Sequence, residues 1–364
     1  MKKVFVGLSG GVDSAVSVTL LQKDGYDVTG VFIKAWTPEG YPCSWKEDRR
    51  SAMKVAAILN IPFITLDLEK EYKKEVVDYM IDEYRQGRTP NPDVMCNKEI
   101  KFGHFLKFAL KNGADFVATG HYARMPPMSD VGNRCKRRTL GNQLLEGIDK
   151  NKDQSYFLWT LTQEQLKHIL FPIGHLQKSE VRKLAGKFGL PQETRKDSQG
   201  LCFLGKINMK EFLARYIPQK RGDVLDLDGE IIGHHNGALF FTIGERHGFT
   251  ITQKTESEVP LYVIAKNVEK NLITVSSKQE LRHFGRSSNL SQEISIKDIN
   301  LIGKIPNKNL SCRIRYRQEK IKCKIQIKDG QTRVIFDQPQ IGISPGQSLV
   351  LYDGEICLGG GIID

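Results

Sequence analysis

The sequence predicts an α/β domain built on a parallel sheet, followed by a small central β-rich domain and a C-terminal β domain. Three observations carry this reading. Up to about residue 204, short apolar runs of strand type alternate with amphipathic helical stretches. Within the first of these units, a glycine-rich turn between Val6 and Ser14 joins a strand to a helix start. Beyond about residue 205 the runs shorten, alternate with period two, and are separated by Gly, Asp and Asn. The domain limits read from these shifts are 1–204, 205–280 and 281–364.

The elements follow in order. Residues 3–6 are a β-branched and aromatic run, a buried strand. Residues 15–23 carry Val16, Leu20 and Leu21 at helical spacing, and Gly25 stops them. A strand is expected at 28–36, a helix at 46–59, and a strand at 62–68. Residues 69–85 form a charged helix with an apolar face at Tyr72, Val76, Tyr79 and Met80. A helix at 97–110 and a strand at 116–119 complete the alternation. Strands spaced by helices require right-handed crossovers and a parallel sheet covered on both faces. Ligands of such sheets sit at the carboxyl ends of the strands, which singles out loops 7–14, 33–45, 87–97 and 119–124. Residues 125–147 break into Pro, Gly and basic residues, including Arg134, Lys136, Arg137 and Arg138, and read as an irregular segment or hairpin. Helical text resumes at 162–170 and 179–188, ended by Gly189, Leu190 and Pro191.

The clearest pattern lies near the C-terminus. In Cys312-Arg313-Ile314-Arg315-Tyr316-Arg317 the odd positions are arginine and the even ones apolar. Lysine and apolar residues alternate again from Lys320 to Ile325. Strand side chains alternate between faces, so two strands joined at Gln318 and Glu319 form a hairpin with one apolar and one basic face. Such a face suits a polyanion, against the alternative of an idle solvated surface.

Composition is that of a globular protein, with 40% hydrophobic and 26% charged residues, and 364 residues allow two or three cored domains. The formal charge of +12 points to nucleic acid rather than membrane, although a generally lysine-rich composition accounts for it equally well. Met1, Lys2 and Lys3 before an apolar run mimic a signal peptide, but Gly10, Gly11 and Asp13 end the run too soon. No apolar run approaches the ~18 residues of a membrane span. A cytoplasmic, non-membrane location is expected. The seven cysteines form no Cys-x-x-Cys and no zinc-spaced cluster, so no metal site is expected and any functional cysteine is a nucleophile or redox thiol.

Three stretches carry chemistry. In Gly7-Leu8-Ser9-Gly10-Gly11-Val12-Asp13-Ser14 the glycines let backbone N–H groups approach a ligand, and the helix start adds free donors. The loop is suited to phosphate, yet it matches neither the Walker pattern nor Gly-x-Gly-x-x-Gly. In the stretch 87–97, Pro90 and Pro92 stiffen the chain and Asn97 is a candidate cap, placing Cys96 beside a helix N-terminus that lowers a thiol pKa. Asp93 is near enough to act as acid or base. A lone cysteine is ordinarily a small buried hydrophobe, but these polar surroundings favour a reactive thiolate. In the stretch 195–205, Cys202 follows a polar loop with Arg195 and Lys196 nearby, again a thiolate environment.

Ser-Gly-Gly-Val-Asp-Ser resembles the loop of the PP-loop ATP pyrophosphatases, which cleave ATP between the α and β phosphates. With Asn91-Pro92-Asp93 ahead of Cys96-Asn97, Thr119 to Arg124, Lys152 to Leu158, Asp197 to Phe203, Arg315 to Arg317 and Ser344 to Gln347, all in order, the whole chain closely resembles the bacterial tRNA-specific 2-thiouridylases. That resemblance implies a PP-loop nucleotide-binding domain, a central tRNA-contacting domain and a C-terminal β-barrel domain. It implies ATP bound at Gly7 to Ser14, with backbone at Ile33 and Gly120 helping; many relatives carry methionine where Ile33 stands. Mg²⁺ would screen the ATP phosphates. It implies a wobble uridine of a Lys, Glu or Gln tRNA flipped towards Asn91, Pro92 and Asp93, with His121, Lys152, Asp153, Gln154, Arg315, Tyr316 and Gln347 contacting tRNA. Adenylation of the uridine 2-oxygen would release pyrophosphate. Cys202 would carry sulfur as a persulfide from a donor protein, and Cys96 would expel it and close a transient Cys96–Cys202 disulfide, with Asp93 as acid/base. Two alternatives remain: another PP-loop ATP-dependent ligase, using ammonia, and a non-catalytic RNA-binding protein with a vestigial loop. The sulfur donor, the oligomeric state, the tRNA preference and the resting distance between the two cysteines are not legible in the sequence.

Overall fold

In the computed structural model, which describes residues 1–41, 45–126, 142–193, 202–205, 207–252, 259–277, 290–306, 310–328 and 330–364, the chain begins with the expected parallel sheet. Its strands are β1 (Lys3–Gly7), β2 (Asp27–Lys34), β3 (Phe63–Asp67), β4 (Phe116–Ala118) and β7 (Ile169–Leu170), in the order β3-β2-β1-β4-β7. Val4, Val6 and Val31 are fully buried, as expected where helices cover both faces. Helix α1 (Val12–Lys23) follows β1 and α2 (Trp45–Ile58) follows β2. The charged helix is continuous through Glu69–Tyr72, Lys73–Asp78 and Tyr79–Arg85, and it buries Tyr72, Val76 and Met80.

Two elements differ from the sequence reading. The helix expected from residue 97 starts at Pro92, because Asn91 caps it: the Asn91 side chain accepts the Val94 N–H at 3.3 Å and Pro92 takes the first helical position. Asn97 is therefore not a cap but an interior helical residue, donating through Nδ2 to the Phe157 carbonyl at 3.1 Å. The stretch 162–170 holds only the short helix Gln163–Leu166, and then joins the sheet as β7, with Ile169 opposite Val117.

The central domain is a sheet of β8 (Gly222–Leu225), β9 (Ile231–His235), β10 (Phe249–Ile251), β11 (Leu261–Asn267) and β12 (Leu272–Ser277) around Val224, Phe241, Val263 and Val275. The C-terminal domain comprises β13 (Leu290–Leu301), β14 (Leu310–Arg313), β15 (Ile321–Lys328), β16 (Gln331–Ile341), β17 (Ser348–Asp353) and β18 (Ile356–Ile363). Pairing of β13 with both β16 and β18 closes it into a barrel, which removes free edges. A hairpin of the first unit, β5 (Ala123–Arg124) with β6 (Leu144–Glu146), adds to this sheet through Cys357 opposite Leu144. Arg134, Lys136, Arg137 and Arg138 lie outside the described residues. The largest core runs without a break from the parallel-sheet unit into Val350, Tyr352 and Cys357 of the barrel.

The basic stripe is not the exposed face that its alternation predicts. Strand β14 ends at Arg313, and residues 314–320 form a longer connection before β15. Cys312 and Ile314 face the barrel core, but the opposite side faces other parts of the chain. Arg313 pairs with Glu146 and Asp153, both at 2.9 Å. Arg315 donates to the backbone carbonyls of Ile243 (2.5 Å) and Gly342 (2.7 Å). Lys320 and Lys150 also reach Glu146, each at 3.0 Å. Only Arg317, Lys322 and Lys324 are exposed in this stripe.

Removing one partner of a buried charge cluster leaves the others unpaired. Arg313→Ala takes the guanidinium from the buried Asp153 carboxylate, 3% exposed, and leaves Glu146, 2% exposed, to Lys150 and Lys320 alone, and is expected to destabilise the protein by about 3–5 kcal/mol. Lys322→Ala, on the exposed face, is expected to stay within about 0.5 kcal/mol. Urea midpoints of the two variants check this, and an unchanged midpoint for Arg313→Ala refutes it.

Candidate active site

The glycine loop leaves β1 at the carboxyl edge of the sheet. Gly10 sits at φ +77°, and a Cβ there would lie 2.6 Å from the Asp48 carbonyl, so the turn requires glycine. Gly11 occupies the N-cap of α1 and no side chain caps that end. The first-turn N–H groups of a twelve-residue helix thus lack a side-chain acceptor, the arrangement that receives an anion. Ser9 Oγ lies 3.3 Å from Ser14 Oγ, which donates to the Gly11 carbonyl at 3.1 Å. Leu8 and Val12 are buried, so only their backbone faces a ligand. Ile33, at the end of β2, has its side chain in the core and likewise offers backbone alone.

Gly120 lies beyond β4 and packs against the start of α1, where a Cβ would stand 2.9 Å from the Ser14 nitrogen. Asp13 is held by Lys178, whose Nζ lies 2.7 and 2.8 Å from its two oxygens, and by the Tyr122 hydroxyl at 2.8 Å. Lys178 begins the helix Lys178–Lys187 and is a residue that sequence reasoning missed, since no local pattern links it to the loop.

The two cysteines meet beside this edge. Cys96 Sγ and Cys202 Sγ are 3.3 Å apart and unbonded. The Cys202 N–H donates to Asp93 Oδ1 at 3.0 Å, and the Tyr72 hydroxyl donates to the Cys202 carbonyl at 2.6 Å. The thiols are not equivalent. Cys96 is fully buried, and burial, reinforced by its contact with Cys202, pushes its pKa well above the usual thiol range. This corrects the expected Cys96 thiolate: the helix starts at Pro92, so Cys96 lies a full turn inside it, away from its free N–H groups. Cys202 is the thiol that ionises more readily. The hydrogen bond from Cys96, and then the charge of Lys101, outweigh burial and lower its pKa to about 7. Arg195 and Lys196, the expected source of that charge, lie outside the described residues. Lys101 was not foreseen. Burial raises the pKa of Asp93, while the Cys202 N–H and Lys101 oppose the shift.

The residues expected to touch RNA are mostly internal braces. Asp153 is 3% exposed and accepts from the Gly147 and Ser155 N–H groups as well as from Arg313, so it faces inward. Gln154 exchanges bonds with Tyr122, accepting its N–H at 3.0 Å and donating its own N–H to the Tyr122 carbonyl at 2.9 Å. Gln347 Nε2 donates to the Thr89 and Pro90 carbonyls at 2.8 and 3.1 Å, tying the barrel to the loop before Asn91. The Tyr316 ring packs on Phe157 at 4.4 Å. His121 is buried, its Nδ1 2.7 Å from Thr119 Oγ1, and burial followed by the Lys101 charge holds its pKa well below the ordinary value. Lys152 is half-buried, its backbone N–H on the Asp149 carbonyl.

A parallel sheet with a glycine loop at its carboxyl edge, beside two free thiols in contact, defines a nucleotide-binding type of α/β protein with a dithiol suited to exchange chemistry. The family profile described as tRNA methyl transferase HUP domain matches residues 2–206, a PRC-barrel domain of the same group matches 210–277, and an aminomethyltransferase β-barrel domain matches 291–363. The chain is 44% identical to the tRNA-specific 2-thiouridylase MnmA of Streptococcus mutans over 368 residues, covering 100% of this chain and 95% of that one. It is 45% identical to the protein of the same name from Streptococcus thermophilus, over 368 residues, and 44% identical to that from Staphylococcus carnosus, over 369 residues, with the same coverage. The chain belongs to the tRNA-specific 2-thiouridylase family. Among the described residues, no helix is long and apolar enough to cross a membrane.

Because a thiolate forms as pH rises through the pKa, alkylation of Cys202 by iodoacetamide is expected to accelerate with a midpoint near pH 7. Cys96 is expected to stay unmodified in the native protein across that range. Peptide mapping after a pH series checks this, and equal labelling of both cysteines near pH 7 contradicts the assignment.

Proposed function

We propose that this chain is a tRNA-specific 2-thiouridylase: it adenylates the 2-oxygen of a tRNA wobble uridine with ATP, releases pyrophosphate, and replaces the activated oxygen with sulfur carried on Cys202. The observation that carries this reading is the pair of thiols 3.3 Å apart, Cys96 within a helix and Cys202 on the segment packed against it, beside an uncapped phosphate-type loop. A uridine 2-oxygen is a poor leaving group, and adenylation makes it a good one. The Cys202 thiolate takes sulfur from a donor persulfide, and the Cys96 thiol can then attack Cys202 Sγ and release the sulfur by exchange. Asp93 positions the Cys202 backbone, and its buried carboxyl can carry the proton lost by Cys96.

The ATP phosphates sit at Ser9 to Ser14, with backbone at Ile33 and Gly120 around the nucleoside. Among the described residues, no group of three His, Cys, Asp or Glu could hold a metal. Mg²⁺ would rest on the phosphate oxygens and supply charge neutralisation there, since Lys178 already engages both Asp13 oxygens. The target base is extruded towards Asn91, Pro92 and Asp93. His121, Lys152 and Tyr316 are taken as tRNA contacts, whereas Asp153, Gln154, Arg315 and Gln347 act by bracing the loops that receive it. Lys, Glu and Gln tRNAs, a separate sulfur-relay protein, a cytoplasmic location and the domain limits 1–204, 205–280 and 281–364 belong to the same proposal.

The test is mass spectrometry of tRNA incubated with the protein, ATP, Mg²⁺ and a persulfide source. One uridine is expected to exchange oxygen for sulfur, with AMP and pyrophosphate formed. Cys202→Ser is expected to abolish sulfur loading. Cys96→Ser is expected to load sulfur and adenylate tRNA, and to complete thiolation at least about tenfold more slowly, the loss of one protein nucleophile. A methyl gain, ammonia incorporation or RNA binding without ATP turnover overturns the proposal.

A further inference from the structure

The segment Cys96–Phe105 is wound as a π-helix. In that winding each N–H reaches the carbonyl five residues back, so residue 101 stacks above residue 96. In an α-helix the same two side chains would point about 140° apart. The unusual winding is thus what brings Lys101 onto the face that carries Cys96.

The surroundings of Lys101 are specific. Its charge acts on the Cys202 sulfur, its Nζ lies 3.5 Å from His121 Nε2, and it stands 5.9 Å from the ring of Phe203, the residue after Cys202. The titratable groups facing it are Cys96, Cys202, Asp93, His121 and, through the Cys202 carbonyl, Tyr72. Among the described residues it forms no ion pair with a carboxylate. Asp93 commits Oδ1 to the Cys202 N–H, and His121 is neutral. A half-buried ammonium needs an anion, and the one placed to serve it is sulfur.

We propose that Lys101 is a further catalytic residue of the sulfur-carrying step: its ammonium holds the anionic sulfur at Cys202, first as thiolate and then as the terminal sulfur of the persulfide. The proposal rests on the sulfur-transfer reading above. The Cys202 thiolate attacks the outer sulfur of a donor persulfide R–S–SH. A new S–S bond forms while the donor S–S bond breaks, and R–S⁻ leaves with the electron pair. The product Cys202–S–SH then loses its proton to solvent, so the negative charge reappears one bond further out, about 2 Å away. A four-carbon lysine stem follows a displacement of that size, and its charge is compensated before and after transfer. Among the described residues, no hydrogen bond or ion pair links Lys101 to the nucleotide loop, so the proposal gives it no part in adenylation.

The experiment compares the full-length protein with Lys101→Met and Lys101→Arg. Three quantities are read: the pH midpoint of Cys202 alkylation, the rate of Cys202 persulfide formation from inorganic polysulfide at pH 7, and tRNA-dependent pyrophosphate release from ATP. Lys101→Met is expected to raise the alkylation midpoint by one pH unit or more and to slow persulfide formation at pH 7 at least about fivefold, the thiolate fraction lost by such a shift. Pyrophosphate release is expected to stay within about threefold of wild type, since the proposal places Lys101 at the sulfur and not at the nucleotide phosphates. Lys101→Arg, which keeps the charge, is expected to restore the midpoint. If Lys101→Met fails to fold, Lys101→Gln replaces it in the same assays. An unmoved midpoint, or pyrophosphate release falling in parallel with sulfur loading, overturns the proposal. Wild-type protein that loads sulfur yet never thiolates tRNA would overturn the parent reading while leaving the Lys101 result to stand on the first two measurements.

Discussion

One hydrogen bond, from the Cys202 N–H to the Asp93 carboxylate, joins two loops that are 109 residues apart in sequence. Tyr72 completes the fixation by donating to the Cys202 carbonyl. Cys202 is thereby gripped on both sides of its own backbone. Bonds of this kind contribute about 1 kcal/mol each when neutral and about 1.5–3 when charged, enough to hold a short loop in one place. The rest of the site depends on this grip. With Cys202 fixed, its sulfur meets Cys96 and Lys101, and the division into thiolate and thiol follows from burial and charge.

The same logic explains why a barrel sits behind an α/β sheet. Gln347 and Pro345 hold the backbone of Thr89 and Pro90, immediately before the Asn91 cap. The Asn91 cap sets where the helix begins, and so how deep Cys96 lies. Arg313 and Arg315 secure the barrel to the first and central domains through Asp153 and the Ile243 carbonyl. The loop that positions Cys96 is therefore braced by every part of the chain. Asp153, Gln154, Arg315 and Gln347, which sequence reasoning assigned to RNA contact, spend polar groups on internal bracing.

Much of the fold was legible because it rests on local signals. The glycine loop, the alternation of strands and helices, and the strand-end placement of the reactive stretches all follow from periodicity and glycine chemistry. What escaped the sequence was sidedness and tertiary partnership. Period-two alternation shows that Arg313 and Arg315 share a face, but not that the face meets other protein instead of water. Cys96 reads as exposed to a helix terminus when Asn97 is taken as cap, and as buried once Asn91 takes that role. Lys101 lies off the Cys96 face in any α-helical reading, and Lys178 is far from Asp13 in sequence. The β5–β6 hairpin joins a sheet formed more than two hundred residues later, a pairing that no local pattern encodes.

The central claim is that the dithiol is assembled in the resting protein, before any substrate binds. Mild oxidation of the full-length chain without ATP or tRNA, followed by non-reducing peptide mapping over time, tests it directly. Cα atoms must come within about 7 Å for a disulfide to close, and sulfurs already in contact meet that demand without loop movement. The account predicts that the Cys96–Cys202 cross-link forms first, and no more slowly than when ATP and tRNA are present. A cross-link that appears only with ATP and tRNA bound would contradict it.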